Sequence, residues 1–199
     1  MKDILKLALV LFLICAIVAG VLGGVDWITR DRIRDYQTAK SNAAKAAVMP
    51  VDLPEGSELY RELDLAALGL PTELEANGQK IRFLSLSEAA NDAGWVVETE
   101  FSGAQGTLVM MVGVDHNLSC TGISITKHSE TSGLGANAAS TAEVGQNFRA
   151  QFLGVGQDVQ LKKAGGEIDA LSGATITSRS VTNATSAAIR LVAMLQTKA

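Results

Sequence analysis

Residues 7–25, LALVLFLICAIVAGVLGGV, form an uninterrupted run of 19 residues without a charge. At about 1.5 Å rise per residue the run makes a helix of roughly 28 Å, close to the thickness of a bilayer's hydrocarbon core. A cleaved secretory signal is the rival reading, because Lys2 and Lys6 give a basic start and residues 16–20 are mostly small. Signal cores, however, span only about 7–15 residues. The stretch that follows also keeps a helical pattern. Between Val25 and Pro50 there is no Gly or Pro, and Ile33, Tyr36, Lys40 and Ala43 recur three to four apart. A retained transmembrane anchor over residues 1–26 and a helical stalk over 27–49 are expected. Lys2 and Lys6 on one side and Arg30, Arg32, Arg34 and Lys40 on the other leave the side of the membrane open.

With 199 residues in all, what remains after the anchor is one domain of ordinary size, expected over residues 50–199. Its charges exclude one function class. The net charge is -4 and the Lys and Arg residues are scattered, so no basic face for nucleic-acid phosphates is expected. The two cysteines, Cys15 and Cys120, lie far apart, one of them inside the apolar run. His116 and His128 belong to no CxxC or HxxxH pattern, too few soft ligands for a zinc or iron–sulfur centre. Any redox chemistry in this chain must use an organic cofactor.

Pro50, Pro54, Gly56 and Pro71 mark an irregular entry to the domain. Residues 81–86, 94–101, 107–114 and 122–127 are short runs rich in Val, Ile, Phe, Trp and Thr, which predicts strands. Asp115, His116 and Asn117 between the last two predict a hairpin. Residues 142–152 predict a helix with Val144, Phe148 and Phe152 as its apolar stripe. Residues 178–196 predict another, with Val181, Ala184, Ala188, Leu191 and Leu195 on one face. The fold class is α+β, with a mainly antiparallel sheet and flanking helices.

Ahead of the last helix stands Asp169-Ala170-Leu171-Ser172-Gly173-Ala174-Thr175-Ile176-Thr177. A Gly-Ala step permits close approach of a bulky group, and the hydroxyls sit where a helix leaves its first N–H groups unpaired. Those groups and the helix dipole favour an anion such as a phosphate. On local pattern alone, an ordinary Ser/Thr cap explains the segment equally well.

The spacing Asp169-x-x-Ser172-Gly173-Ala174-Thr175 resembles the Dxx(S/T)GA(S/T) sequence of the covalent FMN-binding family, which a flavin transferase modifies. The resemblance implies that Thr175 receives FMN through a phosphoester. It also implies that Asp169, Ser172 and Gly173 serve recognition by the transferase and that Ser172, Gly173, Ala174 and Thr177 belong to the cofactor-binding site, Thr177 being a second, poorer acceptor. A second segment, Lys127-His128-Ser129-Glu130-Thr131-Ser132-Gly133-Leu134-Gly135, is similar to the HxETPGLG stretch of the same family. That likeness implies that Glu130, Thr131, Leu134 and Gly135 lie near the flavin. Ser132 stands where proline is usual, which leaves the geometry of the loop open.

The order of anchor, stalk, strands and two motifs resembles the G subunits of Rnf/Rsx-type ion-translocating oxidoreductases. The C subunit of the sodium-translocating NADH:quinone oxidoreductase shares the motif but is usually longer. The resemblance implies an electron-transfer flavoprotein in the cytoplasmic membrane with its flavin domain outside. Its expected partners are the other membrane, iron–sulfur and flavin subunits of the complex, membrane lipid, and the transferase during maturation. The span lacks Asp, Glu, Lys and Arg, so ion movement is expected to involve other chains. A cofactor-free anchored assembly module is the alternative from a different class.

Overall fold

A computed structural model describes residues 2–51 and 59–198; Pro54 and Gly56 of the expected linker, and the side chains of Ile33 and Arg34, lie outside the described residues. The chain divides into two compact units, Met1–Asn42 and Ala43–Ala199.

The first unit belongs to helix α1, Lys2–Val48, which runs unbroken for 47 residues. Within it Leu9–Arg30, with mean hydropathy 2.5, is long and apolar enough to cross a bilayer. Leu11, Phe12, Leu13 and Ile14 point in four directions about the axis, and all are exposed. A helix apolar all round matches lipid rather than a single packing face. Trp27 at the end of the run is also exposed, and Arg30 pairs with Asp26 at 2.5 Å one turn away. Amphipathic aromatic residues commonly mark the level of the headgroups.

In the second unit six strands form one antiparallel sheet: β1 (Tyr60–Leu63), β2 (Glu73–Ala76), β3 (Gln79–Ala89), β4 (Gly94–Ser102), β5 (Thr107–Val114) and β6 (Cys120–Lys127). Their order is β1-β3-β4-β5-β6, and β2 pairs with the first residues of β3 along the edge where β1 pairs with the last. The four strands expected from the sequence are β3 to β6. The other two escape an apolar-run search because YREL and ELEA are half charged. They join the sheet through main-chain pairing on an otherwise open edge. Asn77-Gly78, both with positive φ, joins β2 to β3 in a two-residue turn, and that dipeptide is the local signal for the hairpin.

Helices α2 (Glu143–Ala150) and α3 (Thr175–Lys198) complete the unit. Val181, Ala184, Ala188, Leu191 and Leu195 of α3 are buried, as the spacing predicts. In α2 the expected stripe holds only in part. Phe148 and Phe152 are buried and meet edge to face at 5.3 Å, with Phe152 just beyond the helix, whereas Val144 is 47 % exposed. An eight-residue helix has too few turns to bury three successive stripe positions here.

Alternation along the strands builds two apolar layers. Val97, Met110 and Val112 face the large core with α3, while Val96 and Met111 face the other way and are covered by Ala44, Val48 and Met49 at the end of α1. Gly113 and Gly122 are cross-strand partners, and a Cβ at Gly113 would collide with the Val48 carbonyl. That carbonyl accepts a hydrogen bond from the Thr121 hydroxyl at 2.5 Å. α3 consequently lies on the sheet face opposite the end of α1, and its N-terminus carries the motif.

Candidate functional site

The motif begins as a turn. The Ala174 N–H donates to the Leu171 carbonyl at 3.0 Å, and Gly173 occupies the third position of the turn with φ 70°. That position in such a turn calls for glycine. A Cβ on Gly173 would lie 2.9 Å from Cδ2 of Leu134, so the glycine also leaves room for the second motif. Ser178 staples the turn to α3, because its hydroxyl accepts from the Leu171 N–H at 2.9 Å and donates to the Ala174 carbonyl at 3.0 Å. The sequence pattern marks Ser178 only as the start of the helix; the helix begins three residues earlier, at Thr175.

This earlier start decides the local chemistry. The N–H groups of Thr175, Ile176 and Thr177 form the first helical turn and have no helical carbonyl to receive them. Residues two apart on a helix differ by about 200° around the axis. Thr175 is half-buried beside a solvent-facing cavity of about 290 Å³, whose lining includes Lys162, Lys163, Asp169, Ser172 and Gly173. Thr177 faces the opposite way, is fully buried, and donates its hydroxyl to Oε2 of Glu130 at 2.6 Å. The two candidate hydroxyls are thus separated by the fold itself.

Asp169 stands at the edge of the cavity. Its carboxylate pairs with Lys162 at 2.5 Å, and its backbone is held at both polar groups by the Gln151 side chain, at 2.7 and 3.3 Å. Ser172 and Gly173 are exposed and Ala174 is buried. Lys163 also borders a neighbouring cavity of about 330 Å³ lined by Asn77, Arg179, Thr182 and Asn183. Arg179 lies one turn beyond Thr175 on the same side of α3, at about 40°. Sequence reasoning missed Lys162, Lys163, Arg179 and Gln151. The adjacent lysines are visible in the sequence, but only the fold sets them beside Thr175.

The second motif reaches the first through three contacts. Leu134 packs on Gly173, and Glu130 bonds to Thr177. A Cβ at Gly135 would collide with Oε2 of Glu130 and lie 2.6 Å from the Thr177 hydroxyl. Glu130 is 9 % exposed, and its Oε1 accepts the N–H groups of Ala104 and Gln105 at 2.9 and 3.1 Å. Thr131 is exposed, and its carbonyl accepts N–H groups from Leu134 and Ala136 at 3.2 Å each. The first of these bonds closes a turn with Ser132 second and Gly133, φ 77°, third. Proline is favoured at the second position of such a turn, so serine here occupies a proline-compatible geometry. Farther along, Arg149 donates to the carbonyls of Ala138 and Ser140 at 2.7 and 2.9 Å, and its burial pulls the guanidinium pKa down.

The site thus combines an outward hydroxyl, an anion-accepting helix end and cationic side chains, features that fit a phosphate ester. Leu134 and Ile176, 43 % and 59 % exposed, add apolar surface beside it. The FMN-binding domain family matches residues 103–190, a range that contains both motifs. The G subunit of the ion-translocating oxidoreductase complex of Methanosarcina acetivorans is 30 % identical over 193 residues, 96 % of this chain and 95 % of the relative. The chain belongs to the family of G subunits of ion-translocating oxidoreductase complexes. Another relative, the G subunit of the Na(+)-translocating ferredoxin:NAD(+) oxidoreductase complex of Acetobacterium woodii, is 27 % identical over 96 % of this chain and 92 % of its own length. The G subunit of the proton-translocating ferredoxin:NAD(+) oxidoreductase complex of Clostridium ljungdahlii is 33 % identical over 59 % and 63 % of the two chains. The G-subunit family therefore includes members named for sodium and members named for protons.

Proposed function

We propose that this chain is the G subunit of a membrane-bound ion-translocating oxidoreductase and carries electrons through an FMN esterified to the Thr175 hydroxyl. The observation that carries the reading is the division of labour between the two threonines. Thr175 opens on a cationic cavity at the start of α3, while Thr177 is buried and bonded to Glu130.

Bound FMN would supply electron transfer singly or in pairs. The residues of this chain would supply attachment and surroundings. Thr175 would serve as the tether, the first-turn N–H groups and Lys163 would hold the phosphate, and Leu134 and Ile176 would offer apolar contact to the ring. Asp169, Ser172 and Gly173 form the surface on which the flavin transferase recognises the acceptor, with Ala174 buried beneath them. The cavity at Thr175 falls just below the roughly 300–1,000 Å³ that encloses a ligand, which favours a ring edge left open to the next carrier.

Residues 1–26 anchor the chain as a single span, residues 27–49 form the stalk, and residues 50–199 hold the flavin outside the cytoplasmic membrane. Other subunits of the complex exchange electrons with it and move the ion, in keeping with a span that carries no charged residue from 7 to 25.

The test is denaturing gel electrophoresis of the full chain expressed with a flavin transferase. A fluorescent band is expected, lost in Thr175→Ala, with peptide mass spectrometry placing the adduct on Thr175. A non-fluorescent wild-type band would point to the cofactor-free assembly module instead. A fluorescent Thr175→Ala band would overturn the attachment site.

A further inference from the structure

Glu130 is a buried carboxylate for which electron transfer needs no chemical role, yet the surrounding structure is shaped to hold it. Three donors converge on it: the Ala104 and Gln105 N–H groups on Oε1, and the Thr177 hydroxyl on Oε2. Two glycines make room for it. A Cβ at Gly103 would collide with Oε1 and one at Gly135 with Oε2. A third, Gly106, lets Ser129 approach, with its missing Cβ only 3.0 Å from that of Ser129. The carboxylate therefore joins three segments far apart in sequence: the β4–β5 turn, its own loop and the first turn of α3.

We propose that Glu130 is a positioning residue, which sets the rotation of α3's first turn so that Thr175, rather than Thr177, faces outward as the modifiable threonine. This rests on the reading of Thr175 as the attachment site. The physical argument is geometric. Thr175 and Thr177 stand about 200° apart on the helix, so drawing Thr177 inward turns Thr175 outward. First-turn residues lack the full set of helical hydrogen bonds and fray unless a side chain holds them. A charge-assisted bond to a buried carboxylate is a strong restraint, roughly twice a neutral one. The other carboxylate oxygen is anchored by two backbone amides, so the restraint is referred to the sheet rather than to a mobile side chain.

The experiment compares wild type, Thr177→Val, Thr177→Ser and Gly135→Ala as full-length chains made with limiting flavin transferase. Flavin per folded chain and flavin fluorescence anisotropy are measured. Valine keeps the shape of Thr177 and removes the hydroxyl; alanine at Gly135 forces the Glu130–Thr177 pair apart while removing no polar group. Both are expected to carry about tenfold less flavin, still on Thr175, with lower anisotropy, since small misplacements of reacting groups cost rate steeply. Thr177→Ser should restore both values. Wild-type occupancy and anisotropy in folded Thr177→Val and Gly135→Ala would overturn the positioning role while leaving Thr175 as the tether. A wild-type chain without flavin on Thr175 would remove the underlying reading, and this inference with it. Hydrogen exchange on the wild type gives a variant-free check. The Ala104 and Gln105 amides should be protected; exchange at open-loop rates would overturn the clasp even if the variants fail to fold.

Discussion

At the residue scale, chemistry in this chain is decided by which polar groups already have partners. Lys162 is spoken for by Asp169, while Lys163 borders the cavity at Thr175 and shares the neighbouring one with Arg179, and neither has an ion pair among the described residues. If they face an ester phosphate, Lys163→Ala with Arg179→Ala should lower flavin occupancy about fivefold, read from in-gel fluorescence. Two exposed charge contacts at about 0.5 kcal/mol each give that factor. Cys120 is the opposite kind of residue. Its thiol donates to the Gly122 carbonyl at 3.5 Å, and burial, assisted by Asp115, pushes its pKa from 9.0 to about 12 despite that bond. The unfolded chain releases this proton near pH 9 and the folded chain holds it to about 12. Between these values the unfolded state binds fewer protons, so stability falls as pH rises. Denaturant unfolding should show the wild type losing stability relative to Cys120→Ala from about pH 9 upward, with a constant offset between the two below about pH 8.

At the scale of elements, the loop of residues 129–135 is legible in the sequence as a motif but not as a shape. Its conformation follows from a turn closed by the Leu134 N–H on the Thr131 carbonyl, and from Leu134 seated on Gly173. Ser132→Pro should therefore stabilise the protein by about 0.4–1 kcal/mol, because the serine is exposed and stands second in a turn whose third residue has positive φ, the position that favours proline. A lower melting temperature would show that the turn has a different geometry. The strands β3 to β6 and the buried face of α3 are readable because burial imposes periods of two and 3.6 on the sequence. β1 and β2 are not, since main-chain pairing at a sheet edge leaves little mark on side-chain pattern. The pattern places the start of α3 three residues late because Thr, Ile and Thr in a first turn look like cap and loop residues.

At the scale of the whole molecule, the division at Asn42 and Ala43 places the last six residues of α1 with the domain, short of the boundary at residue 50 that proline spacing suggests. Ala44, Val48 and Met49 cover Ala89, Val96 and Met111, and Lys45 donates to Ser87 at 2.8 Å. A chain starting at Ala43 should fold with near-native melting behaviour. One starting at Val51 should be destabilised by at least about 3 kcal/mol, from the loss of two large buried side chains. Equal melting temperatures for the two would show that this cover is dispensable.

The sequence by itself determined what depends on neighbours along the chain. It specified an apolar run long enough for a bilayer, the alternation of the central strands, the helical stripe of α3 and two motifs that resemble a covalent flavin family. The motif resemblance pointed to Thr175, but local chemistry alone does not separate the hydroxyls of Thr175 and Thr177, because two threonines with one residue between them have the same intrinsic chemistry. In the fold the Thr177 hydroxyl is bonded to a carboxylate 47 positions earlier in the chain, which is itself held by two amides of a different turn. Long-range contacts of this kind leave no local period or spacing, so only the tertiary structure could turn one threonine inward and leave the other facing the solvent.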